Sequence, residues 1–537
     1  MSNAPKGANL QTYKNDKINN FQTNQNLFLK SGRSIMFYLF FFLSITLTLG
    51  AYFVCKYALK INSEKFNNVI SKTLKISVIV YCALSLLSIL LPNSMLLCYS
   101  QEELGTNPVP TGLVIVEWLS KVAFIVLPLA IFTKNKTIRN IAIYFSTIIT
   151  LTQIIMYPMY LDCFTSEIGR GLNSISVLGA GFKEFLRNPI FRSFVIGIIW
   201  LLELCIPVIL AVQERHIFEF KNKKAYGYFF MALSLIILSV MPIYVPQYLF
   251  GYTNLIFEAW SLPHILWLIS VIAEIVIIYF ALRKKDTSIK MLVLYVLALS
   301  LLMQYNQMFG AISLNIERLP FQLCNIGSYL ILVALITKSK KIFDFTVIVN
   351  VVGVIFALAV PDLDGEGLFY LYNMHFILEH TNVLVVPILA LLLNIFPRLD
   401  KKSFKHFFIG FSIYFVAMLI LGTLFNGIAN HTGNDFYSAN YLFMFDQETA
   451  NELVPFFGKL FETKINIGAI TIYPVIQPIV YVVFNLICCA IFGIIQLIYF
   501  TKDKLIKKEN TSTTIESEET KETEQPKTTK KTKKSQK

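Results

Sequence analysis

The sequence predicts an all-α fold: a polytopic membrane helix bundle of about thirteen transmembrane helices, built as two tandem six-helix units in parallel orientation plus a closing helix. Composition is the first observation behind this. Of 537 residues, 55% are apolar and 15% charged, and the mean hydropathy is +0.59, a balance foreign to soluble chains. The second is the alternation of charge between successive loops, and the third is a self-similarity at offsets of 204 and 180 residues. Together they exclude soluble multidomain folds, nucleic-acid readers and disulfide-stapled secreted modules. The net charge of +14 lies mostly on Lys in short loops and in the last forty residues. It therefore reads as topology information, and the partner implied is membrane lipid, with no nucleic acid.

The elements follow in order. Residues 1–34 form a polar, Asn- and Lys-rich arm, and no small-residue cleavage site follows the apolar run Ile35–Val54, so that run is kept as a span. Apolar stretches of about 20 residues then mark spans at 35–55, 76–97, 112–133, 140–161, 191–213 and 226–250, which make the first unit (35–250). Spans at 263–282, 290–309, 321–337, 343–361, 375–397 and 406–427, with a closing helix at 471–500, make the second (251–500). The tail, 501–537, is low-complexity and Lys-rich with little to bury, which predicts disorder. Lys134, Lys136 and Arg139, or Lys338, Lys340 and Lys341, mark cytoplasmic loops, whereas Glu102, Glu103, Asp362 and Asp364 mark outer ones. This places the chain in the plasma membrane with the N-terminus outside and the C-terminus in the cytoplasm.

Sliding the chain by 204 residues lays VEWLSKVAFIVLPLAIFTKNK (from Val116) over PFQLCNIGSYLILVALITKSK (from Pro320). At an offset of 180, Pro207 falls on Pro387 and Trp200 on His380. Six spans per unit is an even number, so both copies keep one orientation.

Polar groups in a bilayer are costly, so their placement points to function. In the second unit His264, Gln304, Gln307, Cys324, Asp362, His375, Glu379, His380, Asn426, Asn430 and His431 all fall near the outer ends of their spans. Cys324 stands out as a cysteine near a histidine at matched depth. A thiolate attacks acyl carbonyls well, and an imidazole can activate the thiol and then protonate the leaving oxygen. His380 is the first choice of base and His375 the rival. Asp362, Asn382 or a Gln from the eighth span remain alternatives for holding the second ring nitrogen. The eight cysteines follow no metal spacing and form no disulfide framework. No phosphate loop or serine-hydrolase elbow occurs, so no cofactor or metal is implied. In the first unit, Glu117 and Lys121 are four apart on one helix face and predict an ion pair. Glu203 and Glu274 lie deeper, and suit proton coupling and a structural carboxylic acid equally.

The run LPFQLCNIG (Leu319–Gly327), the Pro361-Asp362-Leu363 span end, the Glu379-His380 pair and the segment Asn440-Tyr441-Leu442-Phe443-Met444 resemble the YwaF-like integral membrane family over about residues 251–500. His264 fits that family's early histidine. Its animal relatives look like membrane acyltransferases that remodel ether phospholipids with a cysteine and a histidine. The resemblance implies Cys324 as nucleophile and His380 as its partner. This chain departs from it at Gln322, where many members have His, and at Glu379, where Ser is frequent.

The reading that follows is an acyl-transfer enzyme acting on glycerolipids at the outer side of the bilayer through an acyl-Cys324 intermediate. A secondary transporter or lipid scramblase, and a non-catalytic membrane scaffold, are the alternatives.

Overall fold

The structure, a computed structural model, describes residues 32–61, 64–90, 111–165, 177–214, 223–251, 255–311, 315–359, 361, 367–445, 461 and 463–522. Among them, twelve helices are long and apolar enough to cross a membrane, and the protein is a multi-pass membrane helix bundle. In chain order the helices that position the site are α1 (Gly32–Ala58), α2 (Glu64–Leu87), α3 (Thr111–Thr133), α4 (Lys136–Ile155) and α5 (Pro189–Gln213). Next come α6 (Lys223–Ser239), α7 (Val245–Phe250), α8 (Leu262–Leu282) and α9 (Thr287–Ala311). The remainder are α10 (Leu323–Thr337), α11 (Lys340–Ala359), α12 (Leu371–Leu392), α13 (Lys401–Thr432) and α14 (Ile476–Glu522).

The sixth expected crossing, at 226–250, is not continuous. It is split into α6 and α7 by Val240–Tyr244. Pro242 and Pro246 are the cause, because each lacks an N–H and its ring clashes with the carbonyl four residues back. The broken ends are repaired from α9. Gln304 Nε2 donates to Ser239 O at 3.1 Å, and Gln307 Oε1 accepts from Ile243 N at 3.0 Å. At the other end of the chain, α14 continues to Glu522, into the tail expected to lack structure.

Among the described residues two large apolar cores form, one on each side of this break. The first runs from Phe41 to Val245 and takes in Leu299 and Met303 of α9 and Leu371 and Met374 of α12. The second begins at Phe257 and reaches Cys488. Helix α9 therefore faces both. Near the start of α11, Asp344 is fully buried, held by Lys340 at 3.0 Å and by His406 Nδ1 at 2.7 Å, which fastens α11 to α13.

The segments matched at the 204-residue offset share their local backbone. Lys134 and Lys338 both take left-handed φ, at 54° and 52°. Thr133 and Thr337 each bond back to the carbonyl four residues earlier, and each hydroxyl then accepts the N–H two residues on. The following helix carries a π-helical turn in both cases, Ile141–Ser146 and Thr346–Asn350.

Candidate functional site

Pro320 keeps the chain before α10 extended, and the helix starts at Leu323, so Cys324 lies in its first turn. There the first helical N–H groups lack intrahelical partners. The thiol itself donates to Asn325 Oδ1 at 3.2 Å. The Cys324 side chain is half-buried.

Helices α10 and α12 approach closely at Gly327. A methyl group there would stand 3.1 Å from Val383 Cγ1 and 2.9 Å from Asn350 Nδ2. Cys324 precedes Gly327 by three residues and His380 precedes Val383 by three. The two helices are separated by one return helix and run the same way, so Cys324 and His380 lie at one level, one turn toward the amino-terminal ends of α10 and α12 from this contact. His380 Nδ1 donates to Phe376 O at 2.7 Å. A carbonyl can only accept, so Nδ1 carries the proton and Nε2 is left as the basic nitrogen. The backbone of α12 thus performs the orienting role for which Asp362, Asn382 and a Gln were considered. Among the described residues no hydrogen bond joins Cys324 to His380.

The rival imidazole is differently engaged. His375 Nε2 lies 3.1 Å from Glu379 Oε2, one turn along α12, and both groups are buried. Its ring faces Tyr305 at 6.1 Å between centroids. Glu379 is the carboxyl within electrostatic reach of the Cys324 thiol. His375 Nδ1 and Glu379 Oε1 have no hydrogen-bond partner among the described residues.

Other residues expected at the site have structural duties. His264 is fully buried; its Nδ1 accepts from Trp260 N at 2.9 Å, so its Nε2–H donates to Leu358 O at 2.8 Å. Both nitrogens are occupied, tying the start of α8 to the end of α11. Gln304 and Gln307 serve the α6–α7 break, and Gln304 Oε1 also receives Asn382 Nδ2 at 3.4 Å, two residues past His380. Asn430 is exposed and donates to Ala469 O at 3.0 Å, and His431 is exposed beside it. Neither comes to Cys324. Asp362 lies outside the described residues.

Several contributors were missed. Asn350 Nδ2 donates to Leu323 O at the start of α10, from the π-helical turn of α11. Tyr414 donates to Phe321 O, and Tyr329 donates to Asn306 Oδ1 at 3.1 Å. Gln322 binds the loop after α13 twice, donating to Asn440 O at 3.2 Å and accepting from Leu442 N at 3.3 Å. Tyr441 donates to Ile316 O at 2.8 Å, and burial, with Glu317 nearby, pushes its phenol above the usual value. Leu442 and Phe443 both take left-handed φ, at 56° and 57°, costly for side chains of this kind. Two of the short motifs, Leu319–Gly327 and Asn440–Met444, thus lie against one another over the start of α10.

This is the segment on which a family model falls. Residues 259–496 match the model of the TMEM164 family, a membrane protein family. No curated protein and no solved structure matches the chain. The TMEM164-matched segment holds Cys324, His375, His380 and the Asn440–Met444 loop, and it leaves α1 to α7 outside. It coincides with the region read as YwaF-like, under a different family name.

Proposed function

We propose that the protein is a membrane acyl-transfer enzyme acting on glycerolipids, with Cys324 as nucleophile and His380 as base. The observation that carries this reading is the close packing of α10 and α12 at Gly327, which sets a first-turn cysteine level with an imidazole whose Nδ1–H is fixed by Phe376 O. In the reaction, the thiol rotates from Asn325 toward His380, and Nε2 takes its proton. The thiolate adds to the ester carbonyl, and negative charge on the oxygen is favoured by the amino-terminal end of α10. The ester C–O bond breaks, the imidazolium returns its proton to the departing oxygen, and the acyl group stays on sulfur as a thioester. An acceptor hydroxyl then gives its proton to Nε2, attacks the thioester and restores the thiol.

Lipid profiling of cells that express the wild-type chain or Cys324→Ala tests this. An acyl-chain redistribution seen only with the wild type supports it; identical profiles reject it. A second reading, transport or lipid scrambling, is favoured by one observation: the α6–α7 discontinuity at the junction of the two cores, the type of helix break around which transporters build sites. Lipid or solute flux that persists in Cys324→Ala, with unchanged acyl profiles, would support that reading.

A further inference from the structure

Two aromatic residues in the segment before α8 have opposite fates: Phe257 is fully buried, whereas Trp260 is 66% exposed. Trp260 stands at the third position of a turn that Ser261 N closes on Glu258 O at 3.1 Å, and its φ is 63°. Glycine ordinarily fills such a place, because a bulky side chain there is strained. A specific contact holds the strain. Trp260 N donates to His264 Nδ1 at 2.9 Å, and His264, itself fully buried, is fixed through its second nitrogen on Leu358 O. A strained residue held in this way points to use of the side chain it displays.

Among the described residues the indole N–H meets no acceptor, and the ring set against the indole is that of His264, at 5.7 Å between centroids. What remains on show is an apolar plate with one free donor. Its surroundings say what it meets. Leu262, Leu266 and Ile269 are exposed along one stripe of α8, the lipid-facing side of a spanning helix, and Leu255 and Ile256 are exposed beside the turn. The turn therefore lies where that stripe ends. Helices α8, α10 and α12 run the same way, so this is the membrane surface at which α10 begins with Cys324. An indole favours the layer found there, with its ring among the upper chains and its N–H on ester or phosphate oxygens.

We propose that Trp260 is a membrane-interface anchor: its partner is the ester and phosphate layer of the leaflet on the Cys324 side, and His264 is the positioning residue that keeps the turn presenting it. The anchor is tied to the candidate site. Leu368 N, just ahead of α12, donates to Leu255 O at 2.8 Å. The rings of His264, Trp267, Phe376 and His380 then follow one another at 5.9, 5.9 and 4.1 Å between centroids. The leaflet is thus held at a set height relative to His380. The anchor stands apart from the acyl-transfer reading, and its test reads no activity.

Fluorescence of the full chain in phosphatidylcholine nanodiscs, which leave both membrane faces open to solvent, tests this. Subtracting the spectrum of Trp260→Phe removes Trp118, Trp200 and Trp267 and leaves the emission of Trp260. That emission should be largely lost to lipid brominated at the glycerol end of its chains, and little affected by lipid brominated at the methyl end or by iodide in the water. Quenching mainly by iodide would place the ring in solvent, quenching mainly at the methyl end would place it in the chain core, and quenching by none would mean that protein covers it. Each of these overturns the proposal. His264→Phe keeps a ring but loses the acceptor for Trp260 N, and should shift the emission to the red and open it to iodide. His264→Asn, whose Oδ1 takes the place of Nδ1, should keep the wild-type pattern. Emission unchanged in His264→Phe, or shifted equally in both variants, would overturn the role of His264. The wild-type difference decides the anchor even where a His264 variant fails to fold.

Discussion

Gly327 and Val383 meet so closely that the addition of a single methyl group to Gly327 would bring it to 3.1 Å from Val383 Cγ1, with Asn350 Nδ2 nearer still. Neither neighbour is the free end of a flexible chain. Gly327→Ala should therefore push α10 away from α12, at a cost of about 1–3 kcal/mol. Acyl transfer should fall further than the melting temperature implies, because the displaced helix carries Cys324. Unchanged activity in the purified variant would detach the site from this contact.

His380→Gln should abolish acyl transfer while leaving the fold near wild-type stability, since glutamine keeps most of the volume of the buried ring against Phe376 and the hydrogen bond lost is to the backbone of its own helix. His375→Ala should do the converse. It strands Glu379 as a buried carboxylate without its imidazole, a change of the kind that costs about 3–5 kcal/mol, and His375→Ala/Glu379→Gln should recover much of that loss. Melting curves and turnover measured on the same preparations separate the two effects. A swap in severity would move the base to His375.

Cys324 should label with a membrane-impermeant maleimide added outside cells, faster than Cys205 or Cys488, which are buried. The expectation rests on the proposed orientation, with the start of α10 outside, and on a side chain less buried than those of Cys205 and Cys488. Labelling that begins only after permeabilisation would invert the topology.

Gln307→Leu removes the acceptor for Ile243 N, and leaves that N–H bare where Pro242 and Pro246 prevent a helical substitute. A loss of about 1–3 kcal/mol is expected. Gln304→Leu should cost similarly and also release Asn382, so its effect on turnover should exceed that of Gln307→Leu. Equal, negligible shifts in both would show that water repairs the break.

If the chain is a tandem repeat, an experimental structure should superpose α1–α7 on α8–α13 about an axis close to the membrane normal, placing Ser120 on Cys324 and Trp200 within a turn of His380. The paired left-handed lysines and the π-helical turns that follow them support this. Trp200 packs on Tyr160 at 5.2 Å between centroids, so an aromatic cluster would fill the place of the base. A superposition that separates these pairs would refute the duplication.

The helices were legible because apolar runs of spanning length leave few alternatives, and Cys324 and His380 stood out as candidates because polar side chains are conspicuous in such runs. What could not be read was pairing across sequence. His264 has the same depth and chemistry as a candidate base, yet its second nitrogen is consumed by a carbonyl 94 residues away. Gln307 finds its partner 64 residues upstream. The discontinuity at Val240–Tyr244 was written in two prolines four residues apart, but a hydropathy window averages across them. The companion of Glu379 was not identified from spacing: it lies four residues back, at His375.

Helix α9 gives Leu299 and Met303 to one core and Leu294, Ala298 and Leu301 to the other, and its two glutamines close a break in a helix that precedes the TMEM164-matched segment. An expression clone starting at residue 259 would keep every atom of the candidate dyad and still present a polar, half-finished face to lipid. The first seven helices act in this respect as an intramolecular chaperone held for life. A shorter homologue built from the matched segment alone would need other residues on that face, or a second subunit against it, and the positions of Gln304 and Gln307 are where that adaptation should be visible.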